Sequence, residues 1–263
     1  MSSSPITQEV MSPAGIFGLD GRVAIVTGAS SGLGDRFARV LSAAGAQVVG
    51  AARRADRLER LAAEVDGLAT VTCDVSVDDD LERLVAFTLE RFGRVDVVVN
   101  NAGIGRAYPA EEEPRDHFRQ VIEVNLNAVF VLSQIAARSM LERGSGSIIN
   151  IASMYGLVAS APVLQASYCA SKGGVVHLTR ELGAQWGRRG LRVNALAPGF
   201  FPSEMAADMI EDEQSARFLR RNTPVGRPGL PHELDGALLF LASDASTYVT
   251  GQTLAIDGGW TIR

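Results

Sequence analysis

From Gly21 onward, short apolar runs alternate with longer amphipathic stretches. The apolar runs Val23–Thr27, Gln47–Ala51, Ala69–Thr72, Val95–Asn100, Ser147–Ala152, Arg192–Ala197 and Thr253–Ile256 read as strands. Several are rich in Val and Ile and apolar at consecutive positions rather than at every second one. That is the pattern of strands buried on both faces, as in a parallel sheet covered by helices. Helical periodicity falls between them, near residues 33–44, 55–65, 77–92, 115–143, 168–188 and 231–243. Asp78, Asp79 and Asp80 put negative charge at a helix start, where the helix dipole favours it, and Pro231 suits a first helical turn. The repeated β-α order predicts an α/β fold: a doubly wound, seven-stranded parallel sheet with helices on both faces, in a single domain.

Two segments depart from this rhythm. Residues 1–18 are rich in Ser, Pro and Gly without periodicity, and are expected to form a flexible tail ahead of a domain spanning 19–263. Residues 200–229 carry prolines and a short helical segment around Glu204–Leu219. An insertion of this length between a strand and a helix predicts a lid over a ligand site.

Composition narrows the class. A chain of 263 residues with 46% hydrophobic and 21% charged residues has the balance of a globular protein with a sizeable core. A formal charge of -5 and a pI near 5.3 argue against a nucleic-acid partner, which needs a basic face. No uncharged apolar run approaches the ~20 residues that span a bilayer, and the first ten residues lack the pattern of a secretory signal, so a cytoplasmic location is expected. Cys73 and Cys169 are too few for a disulfide framework, and no metal-ligand spacing is present. No metal is expected, and both thiols should be reduced.

The chemistry begins at the first strand. It runs into Thr27-Gly28-Ala29-Ser30-Ser31-Gly32-Leu33-Gly34 and then a helix. Glycines at 28, 32 and 34 remove β-carbons where the chain must turn tightly, and the helix N-terminus presents N–H groups to an anion. After a buried strand, this is the arrangement that binds a dinucleotide diphosphate. Farther on, Tyr168 and Lys172 stand four apart in a helical stretch, so both side chains leave one face. A phenol with an ordinary pKa of ~10 is a poor base at neutral pH, and a neighbouring ammonium would lower that value. Ser153 closes the fifth strand at the carboxyl edge of the sheet, where ligands bind in such folds, although a helix-capping serine would occupy the same place.

The T-G-x-x-x-G-x-G spacing and the Tyr168-Cys169-Ala170-Ser171-Lys172 motif resemble those of the short-chain dehydrogenase/reductase family, in its single-domain Rossmann subgroup. The resemblance covers the chain from Gly21 to about Trp260. It implies hydride transfer between a nicotinamide cofactor and a ketone or secondary alcohol. Tyr168 would be the acid/base, Ser153 would hold the substrate oxygen and Lys172 would tune the phenol. Asn125, in Val124-Asn125-Leu126-Asn127, matches the family's helix-kinking asparagine, which holds a water linking the lysine to solvent. The cofactor would meet Gly28, Ser30, Ser31, Gly32, Leu33 and Gly34 at the glycine turn, and Asp74 and Val75 at the adenine. Asn101, Ala102 and Gly103 would lie beside the adenosine, and Tyr168, Lys172, Pro198, Gly199, Phe201 and Ser203 toward the nicotinamide. Ser153 precedes Tyr168 by fifteen positions, about two more than is usual in the family, with the extra length assigned to the loop 157–165.

After the second strand, NAD-preferring relatives carry an acid. Here Ala52 stands at that place, followed by Arg53 and Arg54. A guanidinium suits a 2′-phosphate, so NADP(H) is favoured, with NAD(H) possible, and Arg53 leads. Exposed arginines at a helix start would look the same, as Arg57 does. Met154, Tyr155, Val163, Leu164, Phe200, Phe201, Met205 and Met209 would frame the pocket, suggesting an apolar or 3-oxoacyl-type carbonyl. Helices near 115–143 and 168–188 resemble those that join relatives into homotetramers. Two other readings of the same fold remain: a non-catalytic nucleotide sensor, and a lyase or epimerase with bound nicotinamide.

Overall fold

The computed structural model describes residues 12–202, 204 and 212–262. Seven parallel strands form one sheet: β1 (Val23–Thr27), β2 (Gln47–Ala52), β3 (Ala69–Thr72), β4 (Val97–Asn100), β5 (Gly146–Ile151), β6 (Leu191–Pro198) and β7 (Thr253–Ile256). Their order is β3-β2-β1-β4-β5-β6-β7. The chain winds outward from β1 to β3 and then returns to place β4 against the other side of β1, with Ile25 opposite Val98. This reversal opens a crevice at the carboxyl ends of β1 and β4, the usual ligand position in doubly wound sheets.

The consecutive apolar residues of the strands are divided between two cores. Ala24 and Val26 of β1, Val97 and Val99 of β4, and Ile149 of β5 pack on one face with Phe37, Leu41, Leu58, Leu61, Leu238 and Leu241. Ile25, Val98 and Ile148 face the other side, among Leu81, Leu84, Leu132, Met140, Leu182 and Trp186. Every residue of β1 and β4 is therefore buried, so the sequence could not alternate. The first face is covered by α2 (Gly32–Ala43), α3 (Ala55–Glu64) and α9 (Asp235–Ala242). The second is covered by α4 (Asp78–Phe92), α6 (Ala128–Arg143) and α7 (Ala166–Trp186).

Several boundaries shift for identifiable reasons. The strand expected from Val95 starts at Val97, because the buried Asp96 turns its carboxylate onto the Val23 N–H (2.9 Å) and pairs with Arg94 (2.7 Å). The helix expected over 115–143 is interrupted: α5 (Arg115–Ile122) passes through a π-helical segment, Glu123–Asn127, into α6. By length and composition alone the run Arg115–Arg143 is long and apolar enough to cross a bilayer, although charged residues interrupt it. About half of its most apolar window is buried, because the run packs against α4, α7 and the sheet. Within the segment expected to be a tail, Pro13–Phe17 form a short helix, α1, whose cap Ser12 accepts from Gly15 N at 3.1 Å. The short helix expected around Glu204–Leu219 is α8 (Glu213–Asn222), capped by Asp212 through Ser215 N at 2.7 Å. Ser203, expected toward the nicotinamide, and Met205 and Met209, expected at the pocket, lie outside the described residues, as does much of the proposed lid.

Candidate active site

The turn after β1 is locked to the turn after β4. Thr27 Oγ1 accepts from Asn101 N (3.0 Å) and Ala102 N (3.1 Å), and Asn101 Nδ2 donates to Thr27 O (2.8 Å). Gly28 adopts φ +68°, and a β-carbon there would stand 2.8 Å from Asn101 Nδ2. A β-carbon at Gly34 would overlap the Gly28 carbonyl. Ser31 precedes α2 without capping it, so its hydroxyl takes none of the first-turn N–H groups. A groove that only glycines leave open, ending on a helix N-terminus, fits the diphosphate of a dinucleotide. Leu33 packs on the core beside this turn, and Val75 shares the wall of a small cleft with Thr27 and Ala102.

The arginines divide differently from expectation. Arg54, not Arg53, returns to the glycine turn: its guanidinium donates to Ser30 Oγ (3.1 Å) and Ser31 Oγ (2.6 Å). Arg54 is the residue before α3, where the chain leaves the extended path of β2 and aims the next side chain at the neighbouring turn. Arg53 is largely exposed and lies 3.9 Å from Asp74, on the far side. Asp74 Oδ1 is held by Ser76 N (3.0 Å) and Ser76 Oγ (2.7 Å), which keep its carboxyl below the usual range, with Arg53 a smaller contributor. Glu204 completes this corner. It accepts from Arg54 Nη1 at 3.1 Å, from Ser31 Oγ at 3.3 Å and from Arg57.

The second constellation joins β5 to α7. Ser153 follows β5, and its Oγ accepts from Tyr155 N at 3.1 Å, so it caps the 3-10 turn Met154–Gly156. Ser153 is thus the capping serine of one reading, and its hydroxyl is also a hydrogen-bonding neighbour of the Tyr168 phenol. Lys172 is buried, donates to Ile151 O at 2.7 Å, and places Nζ 5.7 Å from the centre of the Tyr168 ring. Burial dominates the protonation of both groups. It pushes the phenol above its ordinary value, against the opposing Ser153 hydrogen bond, and brings the Lys172 ammonium down to about 8. The Ser153 hydrogen bond, not Lys172, is what opposes the upward push on the phenol, and excluded water disfavours phenolate and ammonium alike.

Asn125 sits in the π segment, fully buried. Its side chain spans the Ile104 backbone, donating to Ile104 O (2.8 Å) and accepting from Ile104 N (2.8 Å), and it donates to Ser171 Oγ (3.1 Å). Asparagine and lysine border one gap: a β-carbon on Gly103 would lie 3.3 Å from Asn125 Oδ1 and 3.6 Å from Lys172 Nζ.

Several residues expected to face a ligand also make structural contacts. Phe201 is buried in the core, its ring against Gly229. Tyr155, Phe200, Phe218 and Trp260 pack edge to face, with Phe200 and Trp260 centroids 5.4 Å apart. These rings satisfy one another, so their presence says nothing of an apolar substrate. Pro198 ends β6, and Gly199 N donates to Ile256 O (2.9 Å), carrying the chain past β7. Leu164 is exposed in the loop before α7.

Sequence reasoning missed four residues. Arg57 stands three after Arg54 on one helical face, a spacing that could have joined them. Asn100 and Asn150 are polar residues inside apolar strands, bonded to each other at 2.8 Å. Glu204 carried no signal, because its partners lie about 150 residues away in sequence.

The family model described as enoyl-(acyl carrier protein) reductase matches residues 28–261. The chain belongs to the short-chain dehydrogenase/reductase family. This short-chain dehydrogenase/reductase is 43% identical over 249 residues to galactitol 2-dehydrogenase (L-tagatose-forming) of Cereibacter sphaeroides, covering 94% of this chain and 98% of the relative. It is 41% identical over 256 residues to gluconate 5-dehydrogenase of Gluconobacter oxydans (strain 621H), covering 96% and 99%. A solved gluconate 5-dehydrogenase from Burkholderia cenocepacia J2315, in complex with NADP and tartrate, superposes with TM-score 0.91 at 38% identity, covering 96% of this chain and all of that one. The chain is accordingly an NAD(P)-dependent oxidoreductase of secondary alcohols and their ketones. These relatives are named for a polyol and a sugar acid, a substrate type that differs from the expected apolar or 3-oxoacyl carbonyl.

Proposed function

We propose that this enzyme interconverts a secondary hydroxyl of a polyol or sugar acid with the corresponding ketone, preferring NADP(H). The observation that carries the chemistry is the buried contact of Ser153 with Tyr168, one helical turn from Lys172. The nicotinamide supplies or accepts the hydride. Tyr168 gives its hydroxyl proton to the ketone oxygen in reduction and takes it back in oxidation. Ser153 holds that oxygen against the phenol. Lys172 stabilises the phenolate left behind, and Asn125 orders the Ile104 segment and Ser171 around it. Arg54, with Ser30 and Ser31, supports the NADP(H) preference, because it is the guanidinium that faces the glycine turn. We also infer a cytoplasmic homotetramer.

A spectrophotometric panel tests the reading, using galactitol, gluconate, other polyols and aldonates, and apolar secondary alcohols, each with both cofactors. Turnover of a polyol or aldonate with NADP at least tenfold above the apolar alcohols is expected. Exclusive turnover of apolar alcohols would overturn the substrate class.

A further inference from the structure

We propose that Glu204 is a cofactor-specificity residue, an intramolecular competitor whose carboxylate occupies the guanidinium site open to the 2′-phosphate of NADP(H). The inference rests on the cofactor reading above and adds a residue to it.

One carboxylate collects donors from two separate elements. Arg54 Nη1 donates to Glu204 Oε1 (3.2 Å) and Oε2 (3.1 Å), Arg57 Nη1 donates to Oε1, and Ser31 Oγ donates to Oε2 at 3.3 Å. Two guanidinium groups and a hydroxyl at the mouth of a glycine turn are the donor set a phosphate monoester takes. Ser30 and Ser31 belong to the turn that fits the diphosphate, so an adenosine ribose bound there brings its 2′ substituent to this corner. The Arg57 and Arg54 hydrogen bonds hold the Glu204 carboxyl below its ordinary range, so it is an anion throughout neutral pH. Two anions cannot share these donors. A 2′-phosphate must displace Glu204, whereas a 2′-hydroxyl has no need of the guanidinium groups.

The competitor is displaceable. Glu204 is 56% exposed and the two arginines 39% and 37%, so water screens the contacts. A contact that closes the site part of the time raises the apparent dissociation constant by the reciprocal of the open fraction, so closure for about two-thirds to nine-tenths of the time gives roughly 3- to 10-fold.

The test is titration of NADPH and NADH fluorescence on wild type, Glu204→Gln and Arg54→Ala, with adenosine 2′,5′-bisphosphate and 5′-ADP titrated by calorimetry. Glu204→Gln should tighten NADPH and the 2′-phosphorylated fragment about 3- to 10-fold relative to NADH and 5′-ADP. An unchanged ratio, or equal tightening of all four, would overturn the proposal. If Arg54→Ala lowers the NADPH:NADH affinity ratio while Glu204→Gln leaves it unchanged, the cofactor reading stands and the role of Glu204 alone is lost. If Arg54→Ala leaves that ratio unchanged, both fall.

Discussion

The Lys172 ammonium donates to the Ile151 carbonyl at 2.7 Å, tying the catalytic helix to the last residue of β5. Two residues beyond that carbonyl stands Ser153, so one bond fixes the separation of the lysine and the serine around Tyr168. Burying this group comes at a cost, because Lys172 is only 4% exposed and its pKa falls from 10.5 to about 8.

That displacement makes stability depend on pH. Between about pH 8 and 10.5 the unfolded chain keeps the Lys172 proton while the folded chain has lost it, so stability rises with pH in this window. Below pH 8 folding bears the whole penalty, on the order of 3 kcal/mol at ~1.4 kcal/mol per pKa unit. Lys172→Met removes the titration. Denaturant unfolding of both proteins should show wild type gaining on the order of 3 kcal/mol relative to the variant between pH 7.5 and 10.5. A pH-independent difference would refute the burial argument.

Tyr168→Phe keeps the ring and deletes the proton donor. Cofactor fluorescence should show binding within about twofold of wild type, while kcat falls by about 10²–10⁴-fold, the usual loss of a general acid/base. Turnover near the wild-type rate would remove Tyr168 from the chemistry.

The two neighbouring arginines should behave unequally. Arg54→Ala should weaken NADPH by roughly 10- to 150-fold, the equivalent of the ~1.5–3 kcal/mol of a charge-assisted contact, and leave NADH nearly unchanged. Arg53→Ala removes only an exposed, loose pair with Asp74 and should change either affinity by under about fivefold. The reverse ranking in equilibrium titrations would restore Arg53 as the principal contact.

Gly105 lies against the catalytic ring. A β-carbon there would meet Tyr168 Cδ2 at 2.8 Å, so Gly105→Ala must displace the phenol from Ser153. Because a 1 Å misplacement can cost about 100-fold in rate, kcat should fall roughly 10- to 100-fold, with thermal unfolding shifted by only a few degrees. An unaffected kcat would mean that the ring has room to adjust.

Phe118 of α5 and Phe130 of α6 are each 40% exposed. Their helical run is among those expected to join subunits, and a shared face would cover both rings. Light scattering at micromolar protein should give four times the chain mass, and Phe130→Glu should lower it. A monomer mass for wild type would refute the assembly.

Much of this protein was legible along the chain. Val97, Val98 and Val99 could only belong to a strand buried on both faces, since each residue of that run had to find an apolar neighbour on one side or the other. Gly28 and Gly34 were legible from local geometry, as a turn without β-carbons; spacing put Tyr168 and Lys172 on one helical face, and the family motif alone suggested their role. The missed features depend on contacts between distant segments. Whether Arg53 or Arg54 meets the glycine turn is set by where β2 ends and α3 begins, a rotation the sequence does not encode at single-residue precision. Asn125 was read as helix-kinking only through the family resemblance; its side chain bonds Ile104, which lies on another segment. Glu204 joins Arg54 and Arg57 only because folding brings residue 204 beside residues 54 and 57. Tyr155 and Phe200 pack edge to face with Trp260, a contact that only folding brings about. Periodicity and spacing determine what a short segment can form. Which side chains share water, charge or a ring face is decided by packing across the whole fold, where the energies of burial and pairing are realised.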